Sequence, residues 1–218
     1  MRIGIVGAGR IGGGAARMFA RAGHEVLVSG SRDPGELQPL ADEIGGRAGT
    51  PREAVQFGEV VLFAVPWRAV DDVLAPLGSL EGKIVIDTTN QFGPGGWQDL
   101  GGRTAAQVNA ERMPGARYTK SFNTLTAGFQ AEASRRTGAD RVAMFYCGDD
   151  EAAKAVVGGL IDDAGFVPID LGGTADAAPM EAPRREGALY GEEYREAEAR
   201  EAAEALRAGR ALPPTPKY

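Results

Sequence analysis

A doubly wound α/β fold with a mostly parallel sheet is what this 218-residue sequence predicts, on three observations. Short apolar runs rich in Val, Ile and Phe alternate with longer helical patterns. A glycine-rich turn joins the first run to the first helical pattern, and further glycines stand where helices should end. Runs that are apolar at successive positions suit strands covered by helices on both faces. Strand–helix–strand repetition then gives parallel neighbours joined by right-handed crossovers.

The expected strands are 2–6, 25–29, 59–65, 83–88, 117–122, 141–147 and 166–171. Between them the expected helices are 10–22, 35–44, 51–57, 68–76, 104–113 and 150–164, with Gly23, Gly45 and Gly165 placed as C-caps. Beyond Leu171 the character changes. A loop over 172–183 leads to a charged, Ala-rich helix over 191–208, whose thin apolar stripe is Tyr190, Tyr194, Ala202 and Leu206. A helix that polar is marginal alone. It is either solvated, with the proline-rich tail 212–216 frayed, or an arm that packs on a second subunit in a homodimer. The expected organisation is therefore a domain over 1–175 followed by a helical arm over 176–218.

Composition narrows the function. The 24 Lys and Arg against 30 Asp and Glu give a formal charge of -6, which argues against a nucleic-acid partner. No run of about 18 apolar residues is present to span a bilayer. The segment 1–7 is too short for a signal peptide and already reads as a strand, so a cytoplasmic protein is expected. The lone Cys147 excludes an internal disulfide and a cysteine-based zinc site, and no metal site is expected. The lone His24 sits in a turn before the second strand, where it reads as structural, so chemistry must proceed largely without imidazole.

Gly7-Ala8-Gly9-Arg10-Ile11-Gly12 fits the dinucleotide turn G-x-G-x-x-G. Gly7 permits the tight turn, Gly9 lets backbone approach a pyrophosphate, and Gly12 lets helix and strand pack closely. The helix that follows presents free N–H groups to the anion. Because the turn follows an apolar strand and opens an amphipathic helix, a Rossmann-type dinucleotide site is the reading. The second strand ends Ser29-Gly30-Ser31-Arg32, without the carboxylate that would accept from an NAD ribose. Ser31 and Arg32 suit a 2′-phosphate instead, so NADP(H) is the expected cofactor, with Arg10 as a further cation.

Later strand ends carry polar or shaped groups. The third ends Val65-Pro66-Trp67, where Trp67 offers a ring for packing or stacking. The fourth ends in Thr88, Thr89, Asn90 and Gln91, read as a site rim with Thr88 and Asn90 on the substrate side, before a mobile loop at Gly93-Pro94-Gly95-Gly96. The fifth carries Lys120, a candidate proton donor, and Asn123, placed to orient a carboxamide or substrate. Asp149 and Asp150 open a helix and read as caps, not as a catalytic pair.

The combined motifs Gly7 to Gly12, Gly30-Ser31-Arg32, Ala64-Val65-Pro66-Trp67, Lys120-Ser121-Phe122-Asn123-Thr124 and Cys147-Gly148-Asp149-Asp150 resemble the NADPH-dependent deazaflavin (coenzyme F-420) reductases. The wider group includes the oxidoreductase domains of membrane ferric reductases. The resemblance covers roughly residues 1–175. It implies NADP contacts at Ala8 to Ile11, Ser31, Arg32, Val65, Pro66 and Ala127, with hydride passed to a deazaflavin or flavin. The residues leave two rivals open: an NADPH-dependent carbonyl or imine reductase using Lys120, and a non-catalytic NADP(H)-binding sensor.

Overall fold

The computed structural model describes residues 1–31 and 33–218; Arg32 lies outside the described residues. Among the described residues are ten strands: β1 (Arg2–Val6), β2 (Glu25–Ser29), β3 (Arg47–Gly49), β4 (Val60–Phe63), β5 (Ile84–Asp87), β6 (Phe92–Gly93), β7 (Gly96–Trp97), β8 (Arg117–Lys120), β9 (Ala143–Gly148) and β10 (Val167–Asp170). Eight α-helices accompany them: α1 (Arg10–Arg21), α2 (Gln38–Ile44), α3 (Pro51–Phe57), α4 (Val70–Leu77), α5 (Ala105–Arg112), α6 (Ala127–Ala133), α7 (Glu151–Asp163) and α8 (Glu196–Arg207).

Eight strands form one sheet in the order β10-β9-β8-β5-β4-β1-β2-β3, and only the β8–β9 pair is antiparallel. The pleat sends alternate residues of each strand to opposite layers. Ile3 and Ile5 join Ala15, Phe19 and Phe166 on one face, while Val6 joins Val55, Val70 and Tyr118 on the other. That two-sided burial is why the strand runs lack alternation. Crossovers leave the sheet on either side of β1, so the carboxyl ends of β1, β2 and β4 open a crevice at the switch point.

Several elements depart from the sequence expectation, among them the three-residue edge strand β3. Residues 92–97 are not an open loop: Phe92 pairs with Trp97 and Gly93 with Gly96 in a short hairpin. Helix α6 was not anticipated; Thr126 caps it by accepting from the Phe129 amide. The C-terminal helix starts at Glu196, not 191, because the chain just before it is extended. There Val142 bridges Arg195, and the Ala143 amide donates to the Tyr194 carbonyl at 2.8 Å.

The thin stripe of α8 has its partner within this chain. Tyr194, Ala199, Ala202 and Ala203 are buried in the layer containing Phe145 and Ile169, and the Tyr194 ring meets Phe145 edge-on at 5.6 Å. The tail is also held, since the Arg195 amide donates to the Tyr218 hydroxyl and the Arg195 guanidinium lies 4.4 Å from that ring. The stripe therefore needs no second subunit to cover it. His24 bridges the start of β1 and the end of α7, with Nδ1 3.1 Å from the Met1 amine and Nε2 3.0 Å from Asp163. Among the described residues no helix is long and apolar enough to cross a membrane.

The end of β5 is anchored by a buried polar cluster around Asp87, itself fully buried. Its carboxylate accepts from the Thr89 amide at 2.8 Å, from Asn109 at 2.9 Å and from the Tyr118 hydroxyl at 2.5 Å. The Lys120 ammonium lies 3.4 Å away and donates to the Thr89 carbonyl at 2.6 Å. Burial first, then the Asp87 charge, push the Tyr118 phenol well above its ordinary value, so it stays protonated and donates.

Removing one partner of a buried ion pair strands the other charge. Lys120→Met is therefore expected to lower stability by about 3–5 kcal/mol, read from urea denaturation, and Tyr118→Phe by about 1–3 kcal/mol. A surface cap behaves differently. Asp150 accepts from Arg117 at 2.7 and 2.8 Å and from the Ala153 amide, which together hold its carboxyl far below the usual range. A depressed folded value contributes stability above the unfolded pKa of about 3.9, and that contribution fades as pH falls below it. Asp150→Asn should shrink the difference in urea midpoint between pH 7 and pH 3.

Candidate active site

β1 leaves the sheet through Gly7-Ala8-Gly9 and enters α1 at Arg10. Gly7 has φ +99°, and a Cβ there would lie 2.4 Å from the Ala64 carbonyl oxygen. A Cβ on Gly12 would lie 2.1 Å from the Gly7 oxygen, so turn and helix pack without room for side chains. β2 fixes the turn. The Ser29 carbonyl accepts from the Gly7 and Ala8 amides at 3.0 and 2.8 Å, and the Ser29 hydroxyl donates to the Ile5 carbonyl at 2.7 Å.

Helix α1 is left open at its N-terminus. Gly9 caps it with no side-chain bond, and its first turn holds no acid. Side chains of Thr50, Thr104, Thr126 and Asp150 close α3, α5, α6 and α7, whereas α2, α4 and α8, like α1, have no side-chain cap. The unpaired N–H groups of α1 and its positive dipole end thus face the crevice, where an anion is stabilised. A Cβ at Gly9 would meet nothing within 4 Å, which leaves the space above it for a ligand.

The crevice is a cavity of about 360 Å³. Gly7, Ala8, Gly9, Ser31, Val65 and Pro66 line it together, with Arg10 and Ile11 opening α1 beside it. The Ser31 side of the expected Ser31–Arg32 pair is thus at the cavity; Arg32 lies outside the described residues. Leu37, Pro51, Arg68 and Val73 complete the wall and were not foreseen. Pro51 opens α3 inside the capping box Thr50–Glu53, a signal readable as a helix start. Its position at the cavity follows from the three-residue edge strand β3, too short to show as a period.

The polar strand ends lie further along the sheet, at β5 and β8. Asn90 and Asn123 clasp each other. Asn90 donates to the Asn123 carbonyl at 2.9 Å, and Asn123 Nδ2 reaches Asn90 Oδ1 at 3.1 Å and the Met180 carbonyl at 2.7 Å. Asn123 is 5% exposed, and its Oδ1 has no hydrogen-bond partner among the described residues. Phe122 just before it adopts φ +57°, a left-handed conformation rare for an aromatic residue, which turns the chain out of β8. Ala127 is half-buried at the start of α6 and does not line the cavity around the glycine turn. Thr88 is buried at the end of β5.

Two expected side chains point elsewhere. Lys120 is fully buried and locked between Asp87 and the Thr89 carbonyl. It presents no exposed surface to a substrate carbonyl or imine, and these partners favour a structural role over that of proton donor. Trp67 is also turned inward. Its indole N–H donates to Gln98 Oε1 at 2.8 Å, and the Arg112 guanidinium covers its ring at 4.7 Å, leaving no face for stacking. Asp149 and Asp150 are structural as expected: Asp149 accepts from the Thr174 amide and hydroxyl, and Asp150 caps α7. Cys147 is buried, and burial pushes its thiol above the ordinary range.

Comparison with known proteins agrees with this geometry. Residues 2–91, the segment from β1 through the end of β5, match the family described as "NADP oxidoreductase coenzyme F420-dependent". A solved hypothetical protein of Sinorhizobium meliloti is 32% identical, with a TM-score of 0.80 over 90% of this chain and 95% of that one. A solved Arthrobacter protein, described as a candidate F420-dependent NADP reductase, is 27% identical with a TM-score of 0.71, over 81% of this chain and 87% of that one. The metalloreductase STEAP3 of Rattus norvegicus is 30% identical over 83% of this chain, which spans only 36% of that protein's length. The glycine turn, the open α1 terminus and most of the crevice wall thus fall within residues 2–91, the segment that matches the family of coenzyme F420-dependent NADP oxidoreductases.

Proposed function

We propose that the protein passes hydride between NADP(H) and a deazaflavin or flavin, with NADPH preferred over NADH. Bound here, the nicotinamide would supply a hydride to the acceptor ring, and the proton that completes the reduced ring would come from solvent once the transfer is over. The protein's work is then to bind, align and exclude water. The open N-terminus of α1 suits the pyrophosphate, and Ser31, at the cavity and free of any carboxylate neighbour on β2, suits a 2′-phosphate. Leu37, Pro51 and Val73 give the adenine an apolar wall. The observation that carries the reading is at the strand ends. There Asn123 Oδ1 is an unpaired buried acceptor, fit for the N–H of a nicotinamide carboxamide, while Lys120 is sequestered in the core. Positioning amides without an available acid support ring-to-ring transfer over carbonyl or imine reduction, which needs a proton donor at the developing anion.

Arg32 and Ser31 test the nucleotide preference. Arg32→Ala tests for a charge-assisted contact to the 2′-phosphate, a kind of contact worth about 1.5–3 kcal/mol. It should therefore raise the NADPH Kd by roughly 10- to 150-fold and leave NADH binding unchanged in a fluorescence titration. Ser31→Asp should invert the preference toward NADH, because a carboxylate repels the 2′-phosphate and accepts from ribose hydroxyls.

The acceptor is tested by following nicotinamide absorbance with NADPH and a panel of coenzyme F-420, FMN, FAD and simple ketones and imines. Oxidation is expected with the deazaflavin or a flavin. Turnover of ketones or imines alone would overturn the proposal. So would tight NADPH binding with no oxidation by any acceptor, the behaviour of a sensor.

A further inference from the structure

A second cavity of about 360 Å³ lies beyond the strand ends, between the segment 97–104 and the segment 178–185. Gln91, the residue after Asn90, faces it while only 5% exposed, and Gln91 Oε1 has no hydrogen-bond partner among the described residues. Leaving a buried carbonyl unpaired costs about 1–3 kcal/mol, so this atom is placed for a donor the chain does not itself provide. The other polar groups around the cavity are engaged. Both Glu181 oxygens accept from amides at the start of α5, Ala105 and Ala106, at 2.8 Å. The Arg185 guanidinium donates to the carbonyls of Ala178, Glu181 and Pro183, and Arg103 pairs with Glu111 at 2.5 Å.

Trp97 lines the same cavity and is 46% exposed, and its hairpin partner Phe92 is 45% exposed. Phe19, Phe63, Phe122, Phe145 and Phe166 are by contrast fully buried. An exposed ring beside an unpaired carboxamide is a stacking surface next to a hydrogen-bonding edge. A primary carboxamide both donates and accepts, so its best complement carries a donor and an acceptor side by side.

We propose that the Gln91–Trp97 cavity binds a planar heterocycle by an edge with adjacent N–H and C=O groups, Gln91 reading the edge and Trp97 covering the ring. The pyrimidine edge of a flavin or deazaflavin has that pattern, whereas a simple ketone or imine does not. The site rests on the geometry above; only the ligand's role as hydride acceptor rests on the proposed hydride transfer.

The test uses equilibrium dialysis of the full chain with riboflavin and with 3-methylriboflavin, whose edge N–H is blocked. Wild type should bind riboflavin about tenfold more tightly than the methylated ring, and Gln91→Leu should lose that preference. Trp97→Ala, a change at an exposed position that leaves the core intact, should weaken both rings alike. NADPH affinity should hold in both variants, which reports that they fold. Equal binding of the two rings by wild type, or riboflavin affinity unchanged in both variants, overturns the site. Turnover separates the two proposals. Selective riboflavin binding with no NADPH oxidation by any flavin or deazaflavin leaves the site standing and removes the hydride-transfer reading. Deazaflavin-dependent NADPH oxidation with an unchanged KM in Gln91→Leu does the reverse.

Discussion

A single buried carboxylate, Asp87 at the end of the central strand β5, sets where the polar strand ends can lie. Unpaired, it would be untenable in a layer of Val, Ile and Phe; here a lysine, a tyrosine, an asparagine and the next turn's amide and hydroxyl converge on it. Lys120 and Tyr118 come from β8 and Asn109 from α5, so the cluster ties strand β5 to its neighbour and to the helix above it. The chain leaving Asp87 is thereby held through Thr89. Asn90 and Gln91 follow directly, and their placement depends on that anchor.

The same principle divides the molecule into a polar and an apolar half-site. Around the glycine turn the wall is largely apolar apart from Ser31 and Arg68, and the turn itself contributes backbone: uncapped α1 amides and a carbonyl-anchored loop. That half is built for a phosphate-bearing ligand with a flat base. Along β5 and β8 the wall is side-chain amide, with Asn123 and Gln91 each carrying an unpaired buried oxygen. Such atoms are costly in a finished core and make sense where a ligand completes them. The C-terminal segment closes this half, since the Met180 carbonyl and Ala182 amide contact the Asn123–Asn90 pair.

Much of this was legible in the chain. The glycine turn, the strand runs and the absence of a carboxylate at the end of β2 act locally, through sterics and charge within a few residues, so spacing alone reveals them. The same holds for the capping role of Asp150, a helix-terminal effect confined to one turn. What spacing could not reveal was the direction in which a side chain faces. Lys120 and Trp67 each read as site residues because they follow or end a strand, yet each is turned into a network made by distant partners, Asp87 and Thr89 for one, Gln98 and Arg112 for the other.

The sequence by itself determined the fold class, the nucleotide-binding turn and the absence of an acid at the end of its second strand, because each depends on near neighbours. The tertiary structure alone decided that the polar C-terminal helix covers its own sheet, that Lys120 belongs to the core and that Gln91 faces a cavity. Those outcomes depend on which strands lie side by side. The order β8-β5-β4-β1, with β9 running opposite to β8, juxtaposes residues tens of positions apart whose local patterns carry no record of one another.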